Sequence, residues 1–376
     1  IVTDAAGNIG AEPTGDIPTN AFIIDSTAPT VTATDNNGDV VNAADSTLVY
    51  TFTFNETVTG LTTADFDITN GAVISAESVA DSNNELWTVT VTPDQDVAQG
   101  DITLSLKVGA VNDLAGNPNA VYDAPNHAID TLLPTADITA KNSTDAPVSA
   151  VNNDTGIVTY TFTFSEAVAP VSSLTESSFN VSHGAIQSVS LVDPTHLTVT
   201  ILPESGVASG DLSLSLNPNS VVDGAGNVNV ALEATGINID TSAPADAEII
   251  TIDADGGASG DQLTNDTTPV IQVTAEAGAT IALWVKTDAD PVQVNTDNYS
   301  VAEAVSSGAP STYTITVTTP LSDGDYGIIV TDAAGNIGAE PTGDTPTNAF
   351  IIDSTAPVPT ADGFSPSHDA NITPSG

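Results

Sequence analysis

The chain copies itself. Residues 1–29 and 329–357 are the same sequence apart from Ile17, which is Thr345 in the second copy. Between these copies a marker recurs, in which an apolar run ends in Asp and a Pro follows four residues later: "IIDSTAP", "AIDTLLP", "NIDTSAP" and again "IIDSTAP". The prolines Pro29, Pro134, Pro244 and Pro357 are 105, 110 and 113 residues apart. A chain with this period folds as an array of similar small domains, not around one core.

Three complete units are expected, at 28–133, 134–243 and 244–356. Residues 1–27 read as the closing strand or strands of a preceding unit, and 357–376 as the opening of a following one. The chain therefore reads as an internal piece of something longer. The first two units share a register: Glu56 to Glu166, Asp113 to Asp223 and Asp130 to Asp240 are each 110 residues apart. "YTFTFNETV" matches "YTFTFSEAV", and "GDITLSLKVGAVNDLAGN" matches "GDLSLSLNPNSVVDGAGN". The third unit, with "TNDTTPVIQVTAEAGATIALWVK", is a different subtype.

Within each unit the apolar residues alternate. Tyr50, Phe52 and Phe54 are separated by Thr51 and Thr53, and Trp87, Val89 and Val91 by Thr88 and Thr90. Period two marks strands with one buried face, and Gly, Pro, Asn and Asp clusters between the runs mark turns. No helical stripe of useful length is present. About seven strands per unit of about 105 residues predicts an all-β chain of tandem Ig-like Greek-key sandwiches. Strand A follows the Pro, B is "LVYTFTF", E is "LWTVTVT", F is "DITLSLKV", and G ends at "HAID".

The charge narrows the partners. Forty-nine acids stand against three bases, Lys107, Lys141 and Lys286, giving a formal charge of −46. Such a surface repels nucleic acid and anionic membranes and suits a protein that collects divalent cations. An apolar fraction of 40% in patterned runs argues for folded domains despite the acidity. No run approaches a membrane span. There is no Cys, so no disulfide staples the domains.

The recurring acids fall where such an array has its joints. In a Greek-key sandwich the B–C and F–G loops lie at the pole where the chain enters, and strand G ends at the other pole. The exit of one domain therefore meets two loops of the next. The first joint is expected to gather Asp25, Glu56 and Asp113. The second gathers Asp130, Glu166 and Asp223, and the third Asp240, Glu276 and Asp332. Asp353 begins a further set. Three carboxylates repel one another without a counter-ion, and hard oxygen donors on loops suit Ca²⁺, with Asp65 or Asn117 as further donors. The Pro after each Asp restricts the linker. The bland reading is that "DLAGN" and "DAAGN" are turn sequences and that a strand-end Asp caps a loop. The acidic loops "TDNNGD", with Asp35 and Asp39, and "TIDADGGASGD", with Asp253, Asp255 and Asp261, read as solvated.

At these residues the chain resembles the bacterial Ig-like domains of giant biofilm-associated and repeats-in-toxin surface adhesins. "FTFSEAV", "ADFDITNGAV" and "VNDLAGN…ID" resemble one subtype; "TNDTTPVIQVTAEAGATI…TDAAGN…IDSTAP" resembles a second. The resemblance implies a secreted extender on the bacterial cell surface. It also implies Ca²⁺ at the linkers and neighbouring domains of the same chain as partners. No catalytic residue is expected, because the four His occupy non-equivalent places and the acids recur once per domain. A monomer is expected for this segment. The alternatives are a glycan- or protein-binding Ig-like module, or a subunit of a surface layer or filament. For glycan binding the aromatic candidate is Trp284, out of phase with Ile281, Leu283 and Val285 and so expected at the surface. Trp87 is in phase with the core.

Overall fold

The structure is a computed structural model that describes residues 24–253, 260–287, 291–304, 310–340 and 347–356. The expected closing strands before residue 24 and the expected opening of a further unit after 356 lie outside the described residues.

The first repeat contains β1 (Val31–Asp35), β2 (Leu48–Phe54), β3 (Phe66–Thr69), β4 (Gly71–Ser78), β5 (Leu86–Pro93), β6 (Gly100–Leu106), β7 (Tyr122–Asp123) and β8 (His127–Ile129). One sheet has the order β1-β2-β5-β4, and the other has β3-β6-β7 with β8 also on β6. The alternation explains the layering. In β2, Leu48, Tyr50, Phe52 and Phe54 are buried, and in β5, Trp87, Val89 and Val91. Ile102, Leu104 and Leu106 face them from β6 within one core. Phe52 sits edge-on to Phe66 at 5.4 Å between ring centroids.

The second repeat repeats the plan. Its strands are β9 (Ala136–Lys141), β10 (Ala150–Val151), β11 (Val158–Phe164), β12 (Ala169–Pro170), β13 (Phe179–Ser182), β14 (Gly184–Asp193), β15 (His196–Pro203), β16 (Gly210–Leu216), β17 (Val221–Val222), β18 (Leu232–Glu233) and β19 (Ile237–Ile239). They form sheets β14-β15-β11-β9 and β10-β19-β16-β13, with β18 on β16 and a small β12-β17 pair. The third repeat has β20 (Glu248–Ile252), β21 (Leu263–Thr264), β22 (Val270–Ala275), β23 (Thr280–Val285), β24 (Val292–Gln293), β25 (Tyr299–Ala304), β26 (Ser311–Val317), β27 (Gly324–Thr331) and β28 (Ala349–Ile352). Its sheets are β20-β22-β26-β25 and β21-β28-β27-β23-β24. The all-β, tandem Ig-like fold read from the sequence is the fold observed.

A short element went unread. After strand A the chain crosses to the other sheet and runs parallel to the last strand. Val41 bridges Ile129 in parallel, Val151 pairs with Ile239, and Thr264 with Ile352. Each crossing holds the strand-end Asp. The N–H of Asp130 donates to Val41 O at 2.9 Å, that of Asp240 to Val151 O at 2.9 Å, and that of Asp353 to Thr264 O at 3.0 Å. Two residues per crossing are too few to show a period.

Backbone contacts divide the chain into two compact units. One runs to Asp137 and also takes in Phe164–Ser173 and Asn217–Leu232; the other holds Ile138–Thr163, Leu174–Leu216 and the chain from Glu233. The division cuts through the second repeat. Its loops around Glu166 and Asp223 go with the first repeat's closing strand.

Trp284 departs from expectation. It is half-buried, and its indole N–H is enclosed without a hydrogen-bond partner. Its cross-strand neighbour on β27 is Gly327. It is no exposed platform. Trp87 is buried, as its phase requires.

Phe52 is fully enclosed, so Phe52→Ala should destabilise the first repeat by about 3–5 kcal/mol, the usual cost of a large buried truncation. Scanning calorimetry should show the first repeat's transition displaced and the third repeat's unmoved.

Candidate metal centres at the repeat joints

Each joint is built by two short segments. The first is the residue pair around the linker Pro. Thr30 and Asn55 exchange hydrogen bonds, Thr30 N–H to Asn55 Oδ1 at 2.6 Å and Asn55 N–H to Thr30 O at 3.0 Å. Thr135 and Ser165 do the same, at 3.0 Å to Ser165 Oγ and 2.8 Å back to Thr135 O. Both pairs set the next residue, Glu56 or Glu166, beside the linker. Pro29, Pro134 and Pro244 are buried.

The second segment is the D-x-x-G-N loop after strand F. Asp113 Oδ1 accepts the N–H of Ala115 at 2.9 Å and of Asn117 at 2.8 Å. Asp223 Oδ1 accepts three, from Ala225, Gly226 and Asn227, each at 2.8 Å. Asp332 Oδ1 accepts Asn336 N–H at 2.9 Å. Here the turn reading is right. The last residue does more: its side-chain amide reaches back to the previous repeat. Asn117 Nδ2 donates to Asp25 O at 3.1 Å and to Asp113 Oδ2 at 2.7 Å. Asn227 Nδ2 donates to Asp130 O at 2.9 Å and Asp223 Oδ2 at 2.8 Å. Asn336 Nδ2 donates to Asp240 O at 3.0 Å and Asp332 Oδ2 at 2.8 Å. Each neutral bond, to a main-chain carbonyl, contributes about 1 kcal/mol net.

The strand-end Asp also closes a turn of its own. Asp25, Asp130, Asp240 and Asp353 each accept, through Oδ1, the N–H two residues on, from Thr27, Leu132, Ser242 and Thr355.

Two of the three expected acid sets come together. Asp25, Glu56 and Asp113 each offer a carboxylate oxygen within 4.8 Å of the others, and so do Asp130, Glu166 and Asp223. In both sets the loop Asp is buried and the Glu half-buried. The third set does not close. Glu276 lies exposed in a turn, where its main-chain O accepts the Tyr313 hydroxyl at 2.7 Å. Asp240 and Asp332 are joined instead by Asn336 Nδ2, which also donates to Asp240 Oδ1 at 3.2 Å. The third repeat belongs to another subtype, and its acid sits in a different strand context. Asp65 stays outside the first set. Its carboxylate takes the N–H and hydroxyl of Thr62, at 2.6 and 2.7 Å, and caps a short 3-10 turn. Asn117 acts as a donor to the joint.

Charge at the second joint is strained. Burial raises the Glu166 pKa, and the carboxylates of Asp223 and Asp130 raise it further. Asp113 goes the other way. Burial pushes it up, but the donors from Asn117, Ala115 and Gly116 outweigh that and hold it below the ordinary Asp range. Lys107 is engaged with Asp67 and Lys141 with Asp145. An all-carboxylate set on loop backbone, with neither His nor Cys, fits a hard divalent cation.

Of the acidic loops read as solvated, "TDNNGD" is tied down. Asp35, largely enclosed, faces His127 Nδ1 at 3.4 Å, and His127 Nε2 meets Asp39 O at 2.6 Å. Burial, with Asp35 second, pushes the Tyr50 hydroxyl up to about 12. Asp255 lies outside the described residues.

Comparison with known proteins bears on the whole array. A family described as "Bacterial Ig-like domain" matches residues 25–129 and 130–239, and a second family of the same description matches 243–353. None of the curated proteins matches. Among solved structures, the Escherichia coli adhesin FdeC is 14% identical, covering 86% of this chain and 96% of its own, with a TM-score of 0.31. Yersinia pseudotuberculosis InvD is 13% identical, covering 87% and 98%, with a TM-score of 0.26. A titin fragment is 9% identical, covering 84% and 96%, with a TM-score of 0.25.

The raised Glu166 pKa gives a pH test. A folded state that holds the proton more tightly is stabilised by protonation, and that stability is lost as pH rises through the raised pKa. In chelator the second repeat should therefore melt lower at neutral pH than just above the ordinary Glu range. Glu166→Gln should flatten this slope and raise the neutral-pH melting temperature by a few degrees. A steeper slope in the variant would contradict the assignment.

Proposed function

The chain belongs to the bacterial Ig-like domain family in three consecutive domains, and from that premise we propose that it is an extender segment of a large bacterial cell-surface adhesin. We assign it to the biofilm-associated or repeats-in-toxin kind, secreted and stiffened by Ca²⁺ at its joints. The reading is carried by one observation: the three-carboxylate sets recur at the entry to the first and second repeats, and in the second set Asp130, whose N–H is bound to Val41 O of the first repeat, stands beside Glu166 and Asp223 of the second. We read such a set as belonging to a joint. The near-copies at the joints support a spacer over a binding module.

This chain's own groups do most of the work. Asp130 is held by Val41 and Asn227, so its carboxylate is presented to the joint in a fixed place. Asp223 is oriented by its loop, and Glu166 by the Thr135–Ser165 exchange. Asp25 is held through its main-chain O by Asn117, Glu56 follows the Thr30–Asn55 exchange, and Asp113 is oriented by its loop. Bound Ca²⁺ would supply the positive charge that these oxygens lack. Asp240, Asp332 and Asp353 belong to the reading as lesser donors, with fewer carboxylates at hand, and Glu276 stands apart from them. The neighbouring domains of the same chain are the partners.

The test is scattering and calorimetry of this segment in millimolar Ca²⁺ and in EDTA. Extracellular Ca²⁺ modules bind at about 10⁻⁴ to 10⁻³ M. At about 100-fold excess over the dissociation constant each site adds about 2.7 kcal/mol. The expected result is a higher melting temperature for the first and second repeats and a narrower range of end-to-end distances in Ca²⁺. Asp223→Ala should remove the second repeat's share. Coincident melting curves and scattering profiles in the two buffers would overturn the proposal.

A further inference from the structure

We infer that Asn42 and Asn152 form an amide latch that joins each repeat to the D-x-x-G-N loop of the next without a cation. The two residues are 110 positions apart and do the same thing. Asn42 Nδ2 donates to Ala225 O at 3.2 Å, and Asn152 Nδ2 donates to Ala334 O at 3.0 Å. A return bond accompanies each. Ala43 N–H donates to Asn227 Oδ1 at 2.7 Å, and Asn153 N–H donates to Asn336 Oδ1 at 2.8 Å. The first latch lies within one compact unit and the second within the other.

The donors are pre-aimed. Each follows the short parallel strand that crosses beside strand G. Asn42 Oδ1 is occupied by Ala44 N–H at 2.9 Å, and the Asn42 N–H by Asp45 Oδ2 at 3.0 Å. Asn152 Oδ1 takes Asp154 N–H at 3.1 Å, and the Asn152 N–H goes to Thr155 Oγ1 at 2.9 Å. With Oδ1 spent locally, only Nδ2 remains to face the next repeat.

The receiving loop is shaped for it. Gly226 has φ +99° and Gly335 has φ +92°, a region that side chains rarely enter. A Cβ on Gly226 would stand 3.1 Å from Asn42 Nδ2, and one on Gly335 3.2 Å from Asn152 Nδ2. The glycine thus serves the turn and the docking together. The Asn after it saturates its amide, giving Nδ2 to the linker and taking the return bond on Oδ1. The partner that fits this pole is therefore an Ig-like repeat whose F–G loop ends in Gly-Asn. Every group in the latch is a neutral amide or main-chain group, so the latch stands whether or not the joint takes a cation.

The natural chain has no Cys, so spin labels can be placed singly. Glu77→Cys and Val171→Cys, both exposed, report the joint when the full chain is measured by pulsed electron resonance in EDTA. The expected parent result is one narrow distance distribution. Asn42→Asp keeps the local Oδ1 acceptor but turns an acceptor toward Ala225 O; it should widen the distribution at least twofold. Asn42→Ala should do likewise. Unchanged widths in both variants, or a parent already as broad in EDTA, would overturn the latch. Far-ultraviolet circular dichroism and the repeats' melting confirm that each variant folds. Glu166→Gln separates the two ideas. If it abolishes the Ca²⁺ effect and leaves the EDTA distribution narrow, both stand. If Ca²⁺ changes nothing in the parent while Asn42→Asp still widens the distribution, the cation reading fails and the latch survives.

Discussion

The arrangement of the joints depends on one hydrogen bond, from the side-chain amide of the loop Asn to the main-chain carbonyl of the strand-end Asp. It is made by Asn117, Asn227 and Asn336 toward Asp25, Asp130 and Asp240, the last two directly after the strands that end at Ile129 and Ile239. The carbonyl of a residue leaving a sheet has no ladder partner, and at a covered joint an unmade bond is expensive. The Asn supplies the bond and, with its second amide hydrogen, holds the loop Asp by Oδ2. One planar group thereby ties the loop Asp carboxylate to the backbone of the strand-end Asp. The closeness of the acids follows from this geometry, and the electrostatic strain on Glu166 follows from their closeness.

The turn and cation readings of "DxAGN" divide the Asp between them. In Asp223, Oδ1 accepts three main-chain N–H groups and Oδ2 accepts one amide. Those bonds build the loop with no ion. In Asp113 the equivalent donors stabilise the charged form and hold the pKa below the ordinary Asp range. An acid so held is a poor candidate for relief by protonation. At the second joint burial, and then the carboxylates of Asp223 and Asp130, raise the pKa of Glu166. A counter-ion at such a set acts chiefly on the Glu and on what remains free of the Asp oxygens.

Much of this was legible in the sequence, for physical reasons that differ by element. Period-two runs such as Tyr50 to Phe54 announce their buried face because a strand alternates sides, and the sandwich follows from seven such runs. The acids of the first two joints were legible because two near-copies share one register, so position in the pattern stands in for position in space. Glu276 was misread where that register fails: the third repeat places its turn differently and leaves the side chain in solvent. Asp65 was misread because a short acid beside Thr62 satisfies the turn of its own segment first. Trp284 was misread because phase reports the face of a strand and not what covers it. The crossing strands at Val41 and Val151, and the Asn after each, left no signal in a single repeat. Two residues have no periodicity, and an Asn in a loop is ordinary. The signal that could have found them is the pairing of "VN" with "GN" across the array.

The third joint shows what the amide can do where the acid is missing. Asn336 bridges Asp240 and Asp332 with donors to both carboxylates and to a carbonyl. The first two joints bring a third negative group to the same place, and the amide no longer reaches the side chain of the strand-end Asp in the second. A joint with two carboxylates and a shared amide has more of its charge answered within the protein than one with three. On the proposed reading, an array that mixes the two kinds would respond to cation concentration only at its three-carboxylate joints. The neutral contacts are common to all of them, and the acids are added where the subtype supplies the Glu.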